Sequence, residues 1–221
     1  MNRWYWIIAM LLTVFVWGVS AWFYPSLPQT IPTHWNIHGQ VDGHGDKGWS
    51  LFLLPLTNTA MLIFFWFLPA LSPRRFEVDS FRSTYLFIMV ATLALFAYLQ
   101  VIILLATLQE VRGGAKWLDL GRAMLGGMFV FFGLVGSVMG KVRKNFYIGV
   151  RVPWTLASDR VWDDTHRLTA WLMTLGGVVG LVVVLTGLSL WLAIGVMTAS
   201  VMIPVVYSFV HYKALERRGA L

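Results

Sequence analysis

Six apolar runs constrain this chain more than any other feature: Trp4–Tyr24, Leu51–Leu71, Thr84–Leu108, Ala123–Gly140, Leu168–Thr186 and Ser189–His211. Each is close to the roughly 20 residues with which an α-helix crosses about 30 Å of hydrocarbon. In lipid every backbone N–H and C=O must be paired inside its own segment, so an open chain crosses only as helix. The pattern predicts an all-α, polytopic membrane protein with six transmembrane helices. The last two runs are almost continuous and too long for one crossing. The expected break is Thr186-Gly187-Leu188-Ser189, with a re-entrant segment as the alternative. Hydrophobic residues make up 58% of the chain and charged residues 12%, against about 25% charged in a soluble domain. The first run follows Arg3 and is longer than a signal-peptide core. The run is therefore expected to be an uncleaved anchor. The twelve tryptophans gather near the ends of the runs, as interfacial anchors do.

The basic residues predict an orientation. With six crossings, one side carries Arg3, then Arg74, Arg75 and Arg82, then Lys141, Arg143, Lys144, Arg151, Arg160 and Arg167, then Lys213, Arg217 and Arg218. These are thirteen of the seventeen; the other side has Lys47, Arg112, Lys116 and Arg122. The positive-inside rule places the larger group and both termini of this inner-membrane-type chain in the cytoplasm, N-in and C-in. The net charge of +7 then reports topology and contact with anionic membrane lipids, not direct nucleic-acid binding.

No Asp, Glu, Lys or Arg lies near the middle of any run, whereas ion-coupled transporters keep ionisable groups at membrane depth. The polar exceptions are Thr57-Asn58-Thr59 and Gln100, suited to hydrogen bonds between helices. Gly136/Gly140 and Gly176/Gly180 each place two glycines on one helix face. They would let the fourth span approach the fifth within the chain, or drive dimerisation; the oligomeric state is open. The absence of cysteine excludes disulfides, a thiolate metal site and a thiol nucleophile.

Two loops carry the specific sequence. The outer one, residues 25–48, is broken by Pro25, Pro28 and Pro32 and supplied with turns by Gly39, Gly43, Gly45 and Gly48. His34, His38 and His44 with Asp42 and Asp46 are metal-ligand types. Their spacing fits no zinc pattern, and the competing reading is a polar, turn-rich loop held by Asp42 or Asp46 against Lys47. No cofactor is expected. The second loop, residues 141–167, opens with a basic cluster suited to lipid phosphates or an acidic partner. Ser158 is the expected N-cap of the helix leading into the fifth span, with Arg160–Asp164 and Asp163–Arg167 as i,i+4 ion pairs. Trp162 and His166 share one face of that helix. One reading makes it an interfacial amphipathic helix; the other pairs His166 with Asp163 as acid and base, although no nucleophile stands out.

The stretch IGVRVPWTLASDRVWDDTHR resembles the signature of the SdpI family, bacterial membrane proteins named for immunity to a secreted sporulation-delaying peptide toxin. The matching residues are Asn145, Gly149, Arg151, Pro153, Trp154, Thr155, Leu156, Ser158, Trp162, Thr165, His166 and Arg167. Val150 and Val152 depart from the pattern, and Val152 stands where the family has threonine. The outer loop resembles the uncharacterised domain that often precedes this signature, through Leu27, Pro28, Ile31, Pro32, His34, Trp35, Asn36, Gly39, Asp42 and Lys47. His38 and His44 are not part of that pattern. The resemblance implies an N-terminal two-span hairpin, residues 1–71, and a four-span region, residues 72–221. It further implies an immunity or sensor protein, not an enzyme: its outer loop meets a peptide toxin, and its cytoplasmic loop meets a transcriptional repressor. A small-molecule or lipid transporter and a metal-dependent membrane enzyme are the alternatives.

Overall fold

The computed structural model describes residues 2–36, 39–71, 78–113 and 116–221. Six long helices are apolar enough to cross a membrane, as the six runs predict. They are α1 (Arg3–Phe23), α2 (Lys47–Phe67), α3 (Arg82–Arg112), α4 (Leu120–Met139), α6 (Asp159–Leu185) and α7 (Leu190–Arg217), with a five-residue α5 (Pro153–Ala157) before α6. The break between α6 and α7 falls where the sequence puts it, and Gly187 makes the turn at φ +77°, a conformation that costs glycine little. Ser158 caps α6, its hydroxyl accepting from the Val161 amide, with Asp159 in the first turn. Basic residues Arg74 and Arg75, like His38, lie outside the described residues.

The chain forms two compact units: residues 1–66 with 89–127, and residues 67–88 with 128–221. In the first, Asn58 accepts from Thr13 at 2.9 Å and donates to the Leu93 carbonyl at 3.0 Å. Gln100 donates to Ser20 at 2.8 Å and to the Leu51 carbonyl at 3.2 Å. Both amides therefore join helices, each such bond contributing roughly 0.6–2 kcal/mol in a membrane.

The outer loop differs from expectation by containing a two-stranded antiparallel sheet, β1 (Thr30–Trp35) and β2 (Val41–Asp46). Prolines and glycines conceal it in the sequence. Pro32 is tolerated beside a register irregularity in a two-stranded sheet, and Gly43 lies so close to His34 that a Cβ there would be 2.9 Å from the His34 Cβ.

In the second unit helices approach at Gly133, Gly136 and Gly177, of which only Gly136 belongs to the expected pairs; Gly176 and Gly180 do not share a partner, because Gly180 meets the Phe129 ring of α4. A Cβ on Gly136 would lie 2.6 Å from the Thr174 nitrogen, and one on Gly177 would lie 2.6 Å from the Gly133 nitrogen. Thus α4 and α6 meet backbone to backbone, as small residues allow in lipid. Gly176 faces the other way and admits Ser200 of α7.

Candidate functional site

The outer motif is built in two layers. Leu27 and Ile31 are buried with Leu51, Leu104 and Leu108, so its apolar members anchor the hairpin on the helices of their own unit. Trp35 packs against Ile102, Ala106 and Leu120. At the turn, the Asn36 side chain accepts from the Gln40 amide at 3.0 Å, the Gly39 amide donates to the Asn36 carbonyl at 2.9 Å, and Gly39 has φ +68°. Lys116 donates to the Gly39 carbonyl at 3.0 Å. Gln109 holds the segment after Lys116 by accepting from the Trp117 and Leu118 amides at 2.8 and 2.9 Å. The second layer is open. His34 Nδ1 lies 2.5 Å from Asp42 Oδ1, with the two side chains 70% and 44% exposed.

Lys47 makes no carboxylate contact of the kind expected. Its ammonium donates to the Leu27 and Tyr24 carbonyls at 2.9 and 3.2 Å and sits 4.5 Å over the Tyr24 ring, fastening the start of α2 to the end of α1. Asp46 instead caps α2, accepting from the Gly48 and Trp49 amides, while Asp42 takes His34. As for metal, His34 turns to Asp42 and His44 lies on β2 opposite Pro32. Among the described residues no three His, Asp or Glu side chains converge.

The second motif closes on itself. Asn145 is fully buried and uses its whole amide: its oxygen accepts from Tyr147 and Ile148, both at 2.7 Å, and its nitrogen donates to the Arg143 and Ile148 carbonyls. This folds the segment after α4 back towards α6. There Trp162 (1% exposed) donates to the Val142 carbonyl at 2.9 Å and stacks on His166 (0% exposed), ring centroids 4.0 Å apart. His166 Nδ1 faces the Trp162 carbonyl at 2.8 Å, and Nε2 accepts from the Val150 amide at 3.0 Å. A carbonyl only accepts and an amide only donates, so the ring is the neutral Nδ1–H tautomer. Gly149 has φ +113°, and a Cβ there would lie 2.1 Å from His166 Nε2. The glycine is required twice over, by backbone conformation and by the imidazole.

Around this core the remaining motif residues hold the short helix. Thr155 bonds the Val150 carbonyl at 2.7 Å and accepts from the Val152 amide at 3.1 Å. It thereby satisfies the amide of the N-cap residue Val152, the half of a capping box that the third helical residue supplies. Pro153 begins α5. Trp154 donates to Ser208 of α7 at 2.6 Å. Thr165 is buried, and its hydroxyl has no partner among the described residues. The exposed Arg151 donates to the Phe146 carbonyl. Two expectations are corrected. Trp162 and His166 are core residues, not an interfacial stripe, because the Asn145 turn covers them. The ion pairs also differ: Asp164 takes Arg167 at 3.2 Å and His211 of α7 at 3.0 Å, while Asp163 faces Arg143 at 3.9 Å. Ser208 and His211 escape sequence reasoning; the available signal is their spacing of three near the polar end of the last apolar run.

Six helices long and apolar enough to cross a membrane, with two ordered motifs between them, define a multi-pass membrane protein. Residues 11–59 match a domain of unknown function, DUF1648, and residues 141–208 match the SdpI/YfhL protein family. The SdpI/YfhL match covers the signature, and the DUF1648 match lies ahead of it, as the resemblance of the two motifs implies. It is 25% identical over 171 residues to the "Immunity protein SdpI" of Bacillus subtilis (strain 168), covering 77% of each chain. No solved structure is significantly similar to it.

Proposed function

We propose that this protein protects the cell that makes it from a membrane-active peptide and passes the peptide's presence to a cytoplasmic regulator. The observation that carries the first half is the similarity to the Bacillus subtilis immunity protein over 77% of both chains. The open His34–Asp42 face of the hairpin is the part of the outer motif free to meet a peptide, since Leu27 and Ile31 are committed to packing. The signature is the receiving end. Residues 1–71 and 72–221 are the corresponding functional halves, with N-in, C-in orientation.

The relay has a physical basis in α6. That helix runs from Asp159 to Leu185 without a break, and its first turns are bonded to the preceding loop through Trp162–Val142 and His166–Val150. A rotation of α6 would therefore move Arg151, whose planar guanidinium suits a carboxylate on a partner. Such coupling needs two discrete arrangements of α6, which is what experiment must find.

The test is expression in cells sensitive to the sporulation-delaying peptide. Survival with normal regulator recruitment by the wild type, and survival without recruitment by Arg151→Ala at equal membrane abundance, supports protection and relay together. No gain in survival refutes protection. Unchanged recruitment by the variant refutes the relay. Trp162→Ala does not serve here, because the loss of a buried indole reports folding.

A further inference from the structure

A cleft of about 420 Å³ opens where α3 begins and α4 ends, its lining including Asp79, Arg82, Ser83, Thr84, Lys141 and Arg143. All belong to the second unit. Three cations face one carboxylate, and that carboxylate is already taken: Asp79 pairs with Arg82 at 2.9 Å. Arg143 is held only loosely, with Asp163 3.9 Å away, and its side chain is 65% exposed. Lys141 adds a further positive charge two residues after the end of α4. The lining thus carries a net positive charge.

We propose that this cleft binds a phosphate-bearing anion. Phosphate accepts charge-assisted bonds from a guanidinium fork and an ammonium at once. The volume exceeds what a bare ion occupies and falls in the range of about 300–1,000 Å³ of sites for organic ligands. The position, at the ends of two membrane-spanning helices, is the depth of lipid headgroups. An anionic phospholipid headgroup and a free phosphate share this chemistry. The competing account is that Lys141 and Arg143 only complement the carbonyl end of α4. That account needs no cleft and no contribution from α3.

Native mass spectrometry of the detergent-purified full chain, offered phosphatidylglycerol or phosphatidylcholine, separates the two. The site predicts preferential retention of phosphatidylglycerol. It also predicts a loss of about tenfold in its affinity in Lys141→Ala/Arg143→Ala, a smaller loss in Ser83→Ala, and retention in Lys141→Arg. Arg160→Ala, an exposed cation outside the cleft, should bind as the wild type does. Displacement of the lipid by excess inorganic phosphate identifies the phosphate group itself as sufficient; resistance to displacement identifies the whole headgroup as the ligand. Equal retention of the two lipids, or equal losses in Arg160→Ala and the double variant, overturns the proposal in favour of diffuse surface attraction.

Discussion

The hairpin of residues 30–46 and the signature of residues 141–167 each carry a family pattern, yet they use their motif residues in opposite ways. In the hairpin the apolar members go inward, and the polar pair His34–Asp42 is left on the surface. In the signature the polar and aromatic members go inward. Asn145, Trp162 and His166 are buried and bonded to backbone, while the cations Arg151 and Arg167 stay outside. In the hairpin the exposed pair His34–Asp42 is therefore the candidate for contact, while Asn36 and Gly39 shape the turn; in the signature a motif residue is a candidate for architecture unless it is charged. The same words, "signature residue", name a surface in one place and a core in the other.

That contrast can be broken by substitution, and the largest effect belongs to Gly149. Gly149→Ala drives a Cβ into His166 at a positive φ, and it should cost about 3 kcal/mol or more. Thermal unfolding in detergent and membrane abundance should both fall sharply. If the variant is as stable as the wild type, the imidazole lock is not rigid. Next comes Trp162→Phe, which keeps a ring against His166 but removes the bond to Val142. The buried carbonyl loses its donor, a cost of about 1–3 kcal/mol readable as a lowered midpoint of unfolding. An unchanged midpoint would mean that water replaces the indole and the core is wet. The smallest effect is expected from the double change of His34 and Asp42 to Ala. An exposed pair contributes about 0–1 kcal/mol, so stability should hardly move; a large loss would make the hairpin face architectural like the signature.

Orientation sharpens the same comparison, because the two motifs are assigned opposite sides of the membrane on charge alone. Reporter fusions at Gly43 and Gly113 should read outside, and fusions at Asp79, Asp159 and the C-terminus inside. A hairpin fusion reading inside would remove the hairpin from any contact with a secreted peptide.

The spans, their number and the break at Gly187 were legible because hydrocarbon imposes a length and a composition that are local in sequence. Asn58 and Gln100 were legible for a related reason: a lone amide in an apolar run has few partners except another helix. Ser158 declared itself as a cap by standing before Asp159 and a long helical run. The hairpin was not legible, because Thr30–Trp35 contains a proline and Val41–Asp46 has no apolar alternation. Its pairing depends on contacts of Leu27 and Ile31 with distant helices. The burial of Trp162 and His166 was hidden by Asp163, Asp164 and Arg167, which give α6 the appearance of an amphipathic surface helix. What covers that face is the Asn145 turn, and nothing in the residues around position 162 records it. Lys47 misled for a simpler reason, since adjacent carboxylates suggest an ion pair where backbone carbonyls were the better-placed acceptors.

The central claim, that the exposed hairpin face serves protection while the signature core serves the fold, is tested most directly by survival. Cells sensitive to the sporulation-delaying peptide should be made to express the wild type or the His34→Ala/Asp42→Ala variant at matched membrane abundance. The predicted result is survival with the wild type and death with the variant, although the two proteins unfold at the same temperature. Equal survival with both, or with neither, would contradict it.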